Sequence, residues 1–222
     1  MIEALPGKRL RHFARMGVKY AKRPRRYRRL LMAAESKSPA TILEIGVFTG
    51  VRGVEMLEAA SLSERKAKTH YVGFDLFDIM DGEILEKELS KQPDNIDMVK
   101  TRLAGTGADV ELVKGWTHET LPEYAHAHPD YKADLIFIDG GHSIETIQSD
   151  WDNVQSFLTK DSVVIFDDYY VDCPHLTDEY GCNQLVDGLD RAVWDVQIHA
   201  EVDRFVHDDK PHNVSVVEVR MK

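Results

Sequence analysis

Two apolar segments of this sequence end in side chains that can bind a cation or move a proton. The first ends in Asp139 and His142, and the second ends in Asp167 and Asp168. An apolar run that breaks into carboxylates is typical of a buried strand whose carboxyl end opens into a polar site. Ligands bind at that edge of an open α/β sheet, so the sequence predicts a metal and acid/base site there.

The three acids Asp139, Asp167 and Asp168 are the predicted metal ligands. Three carboxylates brought together would raise one another's pKa and destabilise the fold unless a cation neutralised them. Ligation through oxygen alone favours magnesium, calcium or manganese over zinc, and we expect magnesium. The alternative is that these acids are solvated loop residues or helix caps.

His142 is the candidate general base. It follows Asp139 by three residues, where the chain turns into a predicted helix. An imidazole titrates near neutral pH and can accept the proton of a metal-bound hydroxyl. We therefore predict His142 and Asp139 as the catalytic residues. A structural or merely exposed histidine is the alternative.

A glycine turn that includes Gly46 follows the first predicted strand and suits the approach of a ligand. Phe48 occupies the second glycine position of the Gly-x-Gly-x-x-Gly pattern, which disfavours a nicotinamide-dependent oxidoreductase. Glu44 precedes the turn and would repel a pyrophosphate, so it favours a cationic or amino-bearing cofactor. Asp75 ends the second predicted strand, where an acid can accept both ribose hydroxyls. A tight turn that only packs a helix on a strand is the alternative.

The pattern of strands and helices defines the elements that position these residues. Predicted strands cover residues 41–45, 70–75, 109–113, 135–138, 162–166, 196–206 and 214–219. Predicted helices cover residues 24–35, 118–127, 143–158 and 184–193, and Pro93 divides residues 83–104 into two helical pieces that cover the site. This alternation predicts an α/β fold with a doubly wound, mostly parallel seven-stranded sheet and a late antiparallel hairpin.

Charge is distributed unevenly along the chain. The first forty residues hold twelve basic and two acidic residues, whereas the whole chain has a net charge of −10. We predict a basic helical N-terminal arm at residues 1–36 and one domain at residues 37–222. The arm could contact nucleic acid, anionic lipid or a phosphorylated substrate, or it could pack on the acidic body of its own or a neighbouring subunit. The acidic body disfavours a broad nucleic-acid-binding face.

Composition also predicts the cellular location of the protein. The sequence has no run of 18 apolar residues and starts with charged residues, so we expect neither a membrane span nor a secretory leader. The expected location is the cytoplasm. Cys173 and Cys182 lie in one loop region and could pair, but in such a chain we expect reduced thiols.

The cofactor half of the site resembles class I S-adenosylmethionine-dependent methyltransferases. Residues 113–122 are similar to the segment that these enzymes place around the adenine after the third strand. The resemblance implies that S-adenosylmethionine is the cofactor, with Gly46 and Phe48 along its methionine part and Asp75 on its ribose. The predicted cofactor-binding residues are Glu44, Gly46, Phe48, Asp75, Gly115, Trp116, Thr117 and His118.

The catalytic half is similar to the metal-dependent O-methyltransferases, especially the macrocin and mycinamicin sugar enzymes and methyltransferase family 24. The resemblance covers residues 40–195 and is carried by Lys114-Gly115-Trp116, Asp139-Gly140-Gly141-His142, Asp167-Asp168-Tyr169 and Gly181-Cys182-Asn183-Gln184. It implies methyl transfer from S-adenosylmethionine to a hydroxyl of a small-molecule or sugar acceptor, assisted by a divalent cation. Macrocin-type chains often have Asp-Gly-Asp-Leu-Tyr where this chain has Asp-Gly-Gly-His-Ser, so the base follows the mycinamicin-like pattern. Related enzymes are often homo-oligomers.

Two other functions remain open at the level of sequence. One is an RNA methyltransferase that uses the basic arm, although the Asn/Asp-Pro-Pro-Tyr signature of many amino-methylating nucleic-acid enzymes is absent after the fourth predicted strand. The other is an S-adenosylmethionine-binding protein without turnover.

Overall fold

The structure is a computed structural model that describes residues 5–21, 26–62, 67–88, 90–207 and 209–222. Its strands are β1 (Thr41–Ile45), β2 (His70–Asp75), β3 (Asp109–Lys114), β4 (Leu135–Ile138), β5 (Val163–Tyr170), β6 (Trp194–Ile198), β7 (Asp203–His207) and β8 (Lys210–Met221). Its α-helices are α1 (Lys8–Ala21), α2 (Tyr27–Lys37), α3 (Val51–Ala60), α4 (Gly82–Lys87), α5 (Ile96–Ala104), α6 (Thr117–Ala127), α7 (Ile144–Val154) and α8 (Asn183–Gly188).

The strands form one sheet with the order β3-β2-β1-β4-β5-β8-β6, and β7 also pairs with β8. The five strands β1 to β5 run parallel, while β6, β7 and β8 pair antiparallel. The predicted fold class, a doubly wound and mostly parallel α/β sheet, is confirmed. Strand order reverses between β1 and β4, and the carboxyl ends of these strands therefore flank the crevice where ligands bind in such sheets.

The described sheet has eight strands instead of the predicted seven. The strand predicted over residues 196–206 is divided into β6 and β7, which pair with different halves of β8. Between them, the Ser215 hydroxyl lies 2.6 Å from the carbonyl oxygen of His199 and 3.1 Å from that of Glu201. These side-chain contacts occupy the gap between the two paired regions and mark the point at which the strand divides.

The helices follow the predictions with shifted ends. The predicted helix over residues 24–35 corresponds to α2, and its expected start at Pro24 lies outside the described residues. Helices α4 and α5 lie on either side of Pro93, as predicted. The helix predicted over residues 184–193 ends at Gly188, because glycine is a poor helix former and Leu189 is already extended. No helix in the described part of the chain is long and apolar enough to cross a membrane.

Two apolar layers cover the two faces of the sheet. Leu43 and Ile45 of β1 face the layer that contains α6, α7 and α8. Ile42 faces the opposite layer, to which α2, α3 and α5 contribute. Since Leu30 and Ala34 of α2 belong to that second layer, this part of the predicted arm packs on the sheet. The division at residue 36 stays a prediction.

Candidate active site

A cavity of about 1040 Å³ opens at the carboxyl edge of the parallel strands. The turn after β1, the ends of β2 and β4, the start of α6 and the end of β5 contribute to its wall. Nine of the twelve predicted site residues line this cavity: Gly46, Phe48, Asp75, Gly115, Trp116, Thr117, Asp139, His142 and Asp168. The other three, Glu44, His118 and Asp167, do not.

The glycine turn is fixed by one close contact and one carboxylate. Gly46 has a φ of +83°, and a Cβ at this position would lie 1.9 Å from the carbonyl oxygen of Asp139. Only glycine therefore allows β1 and β4 to approach this closely. Asp75 accepts hydrogen bonds of 2.7 Å from the backbone N–H groups of Phe48 and Phe77. The bond from Phe48 stabilises this residue in the left-handed region, with a φ of +52°.

The segment after β3 forms another part of the wall. Gly115, Trp116 and Thr117 line the cavity, and Thr117 is the first residue of α6. His118 comes next, but its side chain is 59% exposed and lies outside the lining. Successive side chains on an α-helix point about 100° apart, so Thr117 and His118 do not face the same cavity. The geometry thus departs from the prediction for His118.

Glu44 is a core residue in this structure. Alternate residues of a strand face opposite sides of the sheet, and Glu44 shares its side with Ile42, beneath α3. Its carboxylate accepts a hydrogen bond from the Tyr71 hydroxyl. Burial raises the pKa of Glu44 to about 8, although the bond from Tyr71 acts in the opposite direction. The prediction that Glu44 contacts a cofactor is therefore not matched by its position.

Asp139, His142 and Asp168 converge in the cavity. One potential ligand atom from each residue lies within 4.8 Å of the other two, and His142 Nε2 is 3.2 Å from Asp168 Oδ2. Desolvation and the charges of Asp167 and Asp168 raise the pKa of Asp139 well above its ordinary value. Desolvation also raises the pKa of Asp168, while His142 lowers it. Two crowded carboxylates beside an imidazole are a donor set that fits a divalent cation, and the imidazole extends the choice beyond magnesium to manganese, iron and zinc.

A bulge in β5 brings Asp168 into this group. The predicted strand ends before Asp167, but β5 continues to Tyr170. Its register with β8 shifts around the two acids, and Asp168 has a φ of +57°. The bulge directs Asp168 into the cavity and leaves Asp167 outside it. The Asn183 side chain bonds to both the N–H and the carbonyl of Tyr170, at 2.9 Å each, and so fixes the end of the bulge.

The loop after β5 closes over the same residues. The backbone N–H of Gly181 donates to the His142 carbonyl at 2.9 Å, and that of Cys182 donates to the Asp168 carbonyl at 3.0 Å. Cys173 and Cys182 are both buried free thiols. The loop thereby holds the backbones of the proposed base and of the acid in fixed positions.

Asp167 is held by the N-terminal segment. Its Oδ2 atom accepts a hydrogen bond of 2.6 Å from the Tyr27 hydroxyl and one of 2.9 Å from the Arg26 guanidinium. The structure therefore does not bring together the predicted ligand set of three acids. It places His142 with Asp139 and Asp168, and it pairs Asp167 with Arg26.

Asp150 lines the cavity from α7 and was not predicted as a site residue. It is only 1% exposed, and neither carboxylate oxygen has a partner at hydrogen-bonding geometry among the described residues. Burial raises the pKa of Asp150 to about 7, and the nearby Thr117 side chain, although outside hydrogen-bonding geometry, lowers the pKa. The sequence did contain a signal, because Asp150 follows Ile147 by three residues and precedes Val154 by four. This spacing places an acid on the apolar stripe of the helix.

Asp150→Asn is expected to stabilise the cofactor-free protein more at pH 8 than at pH 5. The folded protein keeps this carboxyl protonated up to about pH 7, whereas the ordinary pKa is 3.8. Folding therefore takes up a proton between these values, and stability falls as the pH rises through them. The resulting loss of folding free energy at pH 8 is at most about 4 kcal/mol. Asparagine avoids it, so the Tm at pH 8 should rise by roughly 5–10 °C.

Thermal melts at the two pH values check this expectation. Asp152→Asn is the matched control, since Asp152 is exposed on the same helix, and its Tm should change by less than about 2 °C. An equal shift for Asp150→Asn at both pH values would contradict the protonation argument.

Comparisons with known proteins place the chain in a family. The model of a methyltransferase domain family, methyltransferase family 24, matches residues 43–169. An O-methyltransferase from Bacillus cereus in complex with S-adenosylhomocysteine has a TM-score of 0.60 at 13% identity, over 99% of this chain and 94% of that chain. The apo TDP-rhamnose 3′-O-methyltransferase CalS11 of calicheamicin biosynthesis has a TM-score of 0.56 at 20% identity, over 86% and 81%. An rRNA methylase from Streptococcus thermophilus has a TM-score of 0.56 at 13% identity, over 90% and 97%.

The family match and the structural similarities carry different weight. At these identities, similarity to solved structures shows the fold alone. A search of the curated proteins finds no match. The family match spans more than half of the 222 residues and runs from β1 to the bulge of β5. The chain therefore belongs to methyltransferase domain family 24 and has the fold of class I S-adenosylmethionine-dependent methyltransferases.

Proposed function

We propose that this protein transfers a methyl group from S-adenosylmethionine to a hydroxyl of a small molecule or sugar, with the assistance of a divalent cation. The observation that carries the proposal is the meeting of Asp139, His142 and Asp168 in the cavity that also contains the glycine turn and Asp75. One cavity thus has groups for a nucleoside cofactor and groups for a cation. Two of the structural relatives support this function, since one is an O-methyltransferase with bound S-adenosylhomocysteine and the other is a sugar O-methyltransferase.

The cofactor half of the cavity fits S-adenosylmethionine, which would supply the methyl group. We infer that Gly46 and Phe48 line its methionine part. Asp75 would accept the ribose hydroxyls, because each of its carboxylate oxygens can accept a further bond besides the one from a backbone N–H. Gly115, Trp116 and Thr117, which line the cavity at the start of α6, would border the adenine.

The catalytic half binds and deprotonates the acceptor. Asp139 and Asp168 would hold the cation, which as a Lewis acid lowers the pKa of a hydroxyl. His142 Nε2 lies 3.2 Å from Asp168 Oδ2, whereas Nδ1 is buried and has no hydrogen-bond partner among the described residues. One ring nitrogen of a neutral imidazole carries a lone pair, and Nε2 is the nitrogen that faces the acid cluster, so we infer that Nε2 takes the proton of the acceptor hydroxyl. His142 is therefore the proposed general base.

The basic arm gives less support to the RNA alternative. Arg11 and Arg15 of α1 pair with Glu58 of α3, and Arg29 of α2 pairs with Glu201. These ion pairs match the interpretation in which the arm packs on the acidic body of its own chain. The similarity to an rRNA methylase concerns the fold, which hosts many functions.

The proposal is tested with purified protein, S-adenosylmethionine and two acceptors that present neighbouring oxygens, a catechol and a nucleotide-linked deoxysugar. We expect S-adenosylhomocysteine and an O-methylated product, identified by mass spectrometry and NMR. Turnover should stop in EDTA and return with Mg²⁺ or Mn²⁺. Methylation at nitrogen would contradict the proposed acceptor, and turnover that is insensitive to EDTA would contradict the role of the cation. Cofactor binding without turnover on either acceptor would favour a binding protein.

A further inference from the structure

The start of α2 closes one side of the acid cluster through Asp167. Arg26 Nη2 lies 2.9 Å from Asp167 Oδ2, and the Tyr27 hydroxyl lies 2.6 Å from the same oxygen. The Asp167 side chain is fully buried, and that of Arg26 is 14% exposed. A carboxylate at this edge of the sheet is thus held by two donors that lie about 140 residues earlier in the chain.

Both donors are fixed from other directions as well. The Tyr27 ring packs edge-on against Phe137 of β4, with ring centroids 6.3 Å apart. The Arg52 guanidinium of α3 lies over the same ring, 3.9 Å from its centroid. Arg26 Nε lies 3.5 Å from an oxygen of Asp203 in β7. Contacts with three further elements therefore orient this pair toward β5.

Arg26 places a positive charge among the acids. Desolvation lowers the pKa of Arg26, but the attraction of Asp167, with contributions from Asp168 and Asp139, raises it above the ordinary value. The guanidinium stays charged and offsets the charge of Asp167. Removing Asp167 from this pair would leave a buried guanidinium without its closest carboxylate, which is costly.

The cation-binding geometry excludes Asp167. The group whose ligand atoms lie within 4.8 Å of one another consists of Asp139, His142 and Asp168. Asp167 and Asp168 are adjacent in sequence, yet the bulge of β5 directs them to different surroundings. One acid faces the cavity, and its neighbour faces α2.

We propose that Arg26 and Tyr27 are positioning residues that hold Asp167 out of the cation site, so that Asp139 and Asp168 are its only carboxylate ligands. This inference rests on the cation assistance proposed above. It makes the N-terminal segment part of the active site, since α2 determines how many carboxylates the cation meets. Arg26 would then neutralise Asp167, and the cation would neutralise Asp139 and Asp168.

The decisive variant removes the pair as a unit. Arg26→Gln/Asp167→Asn keeps the local charge unchanged, and its Mn²⁺ affinity, measured by EPR from the signal of free Mn²⁺, should stay within about threefold of wild type. Asp168→Asn should weaken Mn²⁺ binding by roughly 100-fold, since it alters a proposed ligand. A double variant that lost as much affinity as Asp168→Asn would show that Asp167 is a ligand and would overturn the inference.

Arg26→Gln alone is expected to change Mn²⁺ affinity in the opposite direction. It removes a positive charge and frees Asp167, so Mn²⁺ should bind about tenfold more tightly. Arg28→Gln is the matched control, because Arg28 lies in the first turn of α2, two residues after Arg26, but approaches Glu201, at 3.7 Å. Its Mn²⁺ affinity should match wild type. An unchanged or weaker Mn²⁺ affinity in folded Arg26→Gln would contradict the inference.

Two further measurements keep the outcome clear. If Arg26→Gln does not fold, Tyr27→Phe replaces it as the test, because this change keeps the aromatic ring but removes the bond to Asp167. Tyr27→Phe should raise Mn²⁺ affinity by about twofold to threefold. An unchanged or lower affinity in this variant would count equally against the inference. Wild-type protein that binds no Mn²⁺ would overturn the proposed cation assistance together with this inference, whereas the other outcomes overturn the inference alone.

Discussion

Asp168→Asn is expected to lower kcat by roughly 1,000-fold, because the carboxylate proposed to hold the cation is lost and Lewis-acid stabilisation is worth several kcal/mol. The Kd for S-adenosylhomocysteine should stay within about threefold of wild type, since the glycine turn and Asp75 are unchanged. Asparagine is chosen because Asp168 has a φ of +57°, a region that asparagine tolerates better than most residues. The change therefore tests the charge of the side chain and preserves the bulge.

Asp172→Asn is the matched control for this experiment. Asp172 has a φ of +55° and is exposed in the loop after β5, outside the cavity lining. Its kcat should stay within about twofold of wild type. Wild-type activity in EDTA should fall to the level of Asp168→Asn in Mg²⁺. Full activity of Asp168→Asn in EDTA would show that the cation account is wrong.

The parallel half of the fold could be predicted because its signals are local. Strands β1, β2 and β4 have the predicted bounds, since each is a short apolar run that ends at a glycine turn or an acid. The end of β5 depends on distant contacts, and so it could not be predicted. Residues 167–170 have the polar pattern of a loop, but β8 and Asn183 hold them in a bulged strand. The division of β6 from β7 depends in the same way on Ser215 of another strand.

The site residues divide along the same line. Asp139, His142 and Asp168 could be predicted together, because the carboxyl ends of neighbouring parallel strands meet at one edge. Asp167 could not be separated from Asp168, since its partner Arg26 lies in a basic segment in which nothing marks one arginine for the site. Glu44 is a different case. Residues two apart in a strand face the same side of the sheet, so the apolar Ile42 already indicated that Glu44 faces the core. A contact between Glu44 and a cofactor in the cavity is inconsistent with this alternation.

His142→Gln is expected to lower kcat by about 100-fold or more, the usual contribution of a general base. Glutamine can still donate to Asp168, which lies 3.2 Å from Nε2 of the histidine. It cannot accept and release the proton of the acceptor hydroxyl. The pH–rate profile gives a second readout, because the acid limb that a general base produces should be absent from the variant. His126→Gln, an exposed change on α6, is the control and should keep the wild-type profile.

Mn²⁺ binding to His142→Gln then separates the two roles that the geometry allows for this imidazole. A general base uses its lone pair for the proton of the acceptor and contributes none to the cation, so Mn²⁺ affinity should change by less than about threefold. A ligand would contribute that lone pair, and its loss should weaken Mn²⁺ binding by roughly tenfold or more. Activity that returned at high Mn²⁺ would assign His142 to the cation and contradict its role as the base. We expect the variant to keep low activity at saturating Mn²⁺ and to lack the acid limb. Asp139 and Asp168 cannot take the proton of the acceptor while they bind the cation, so this role belongs to His142.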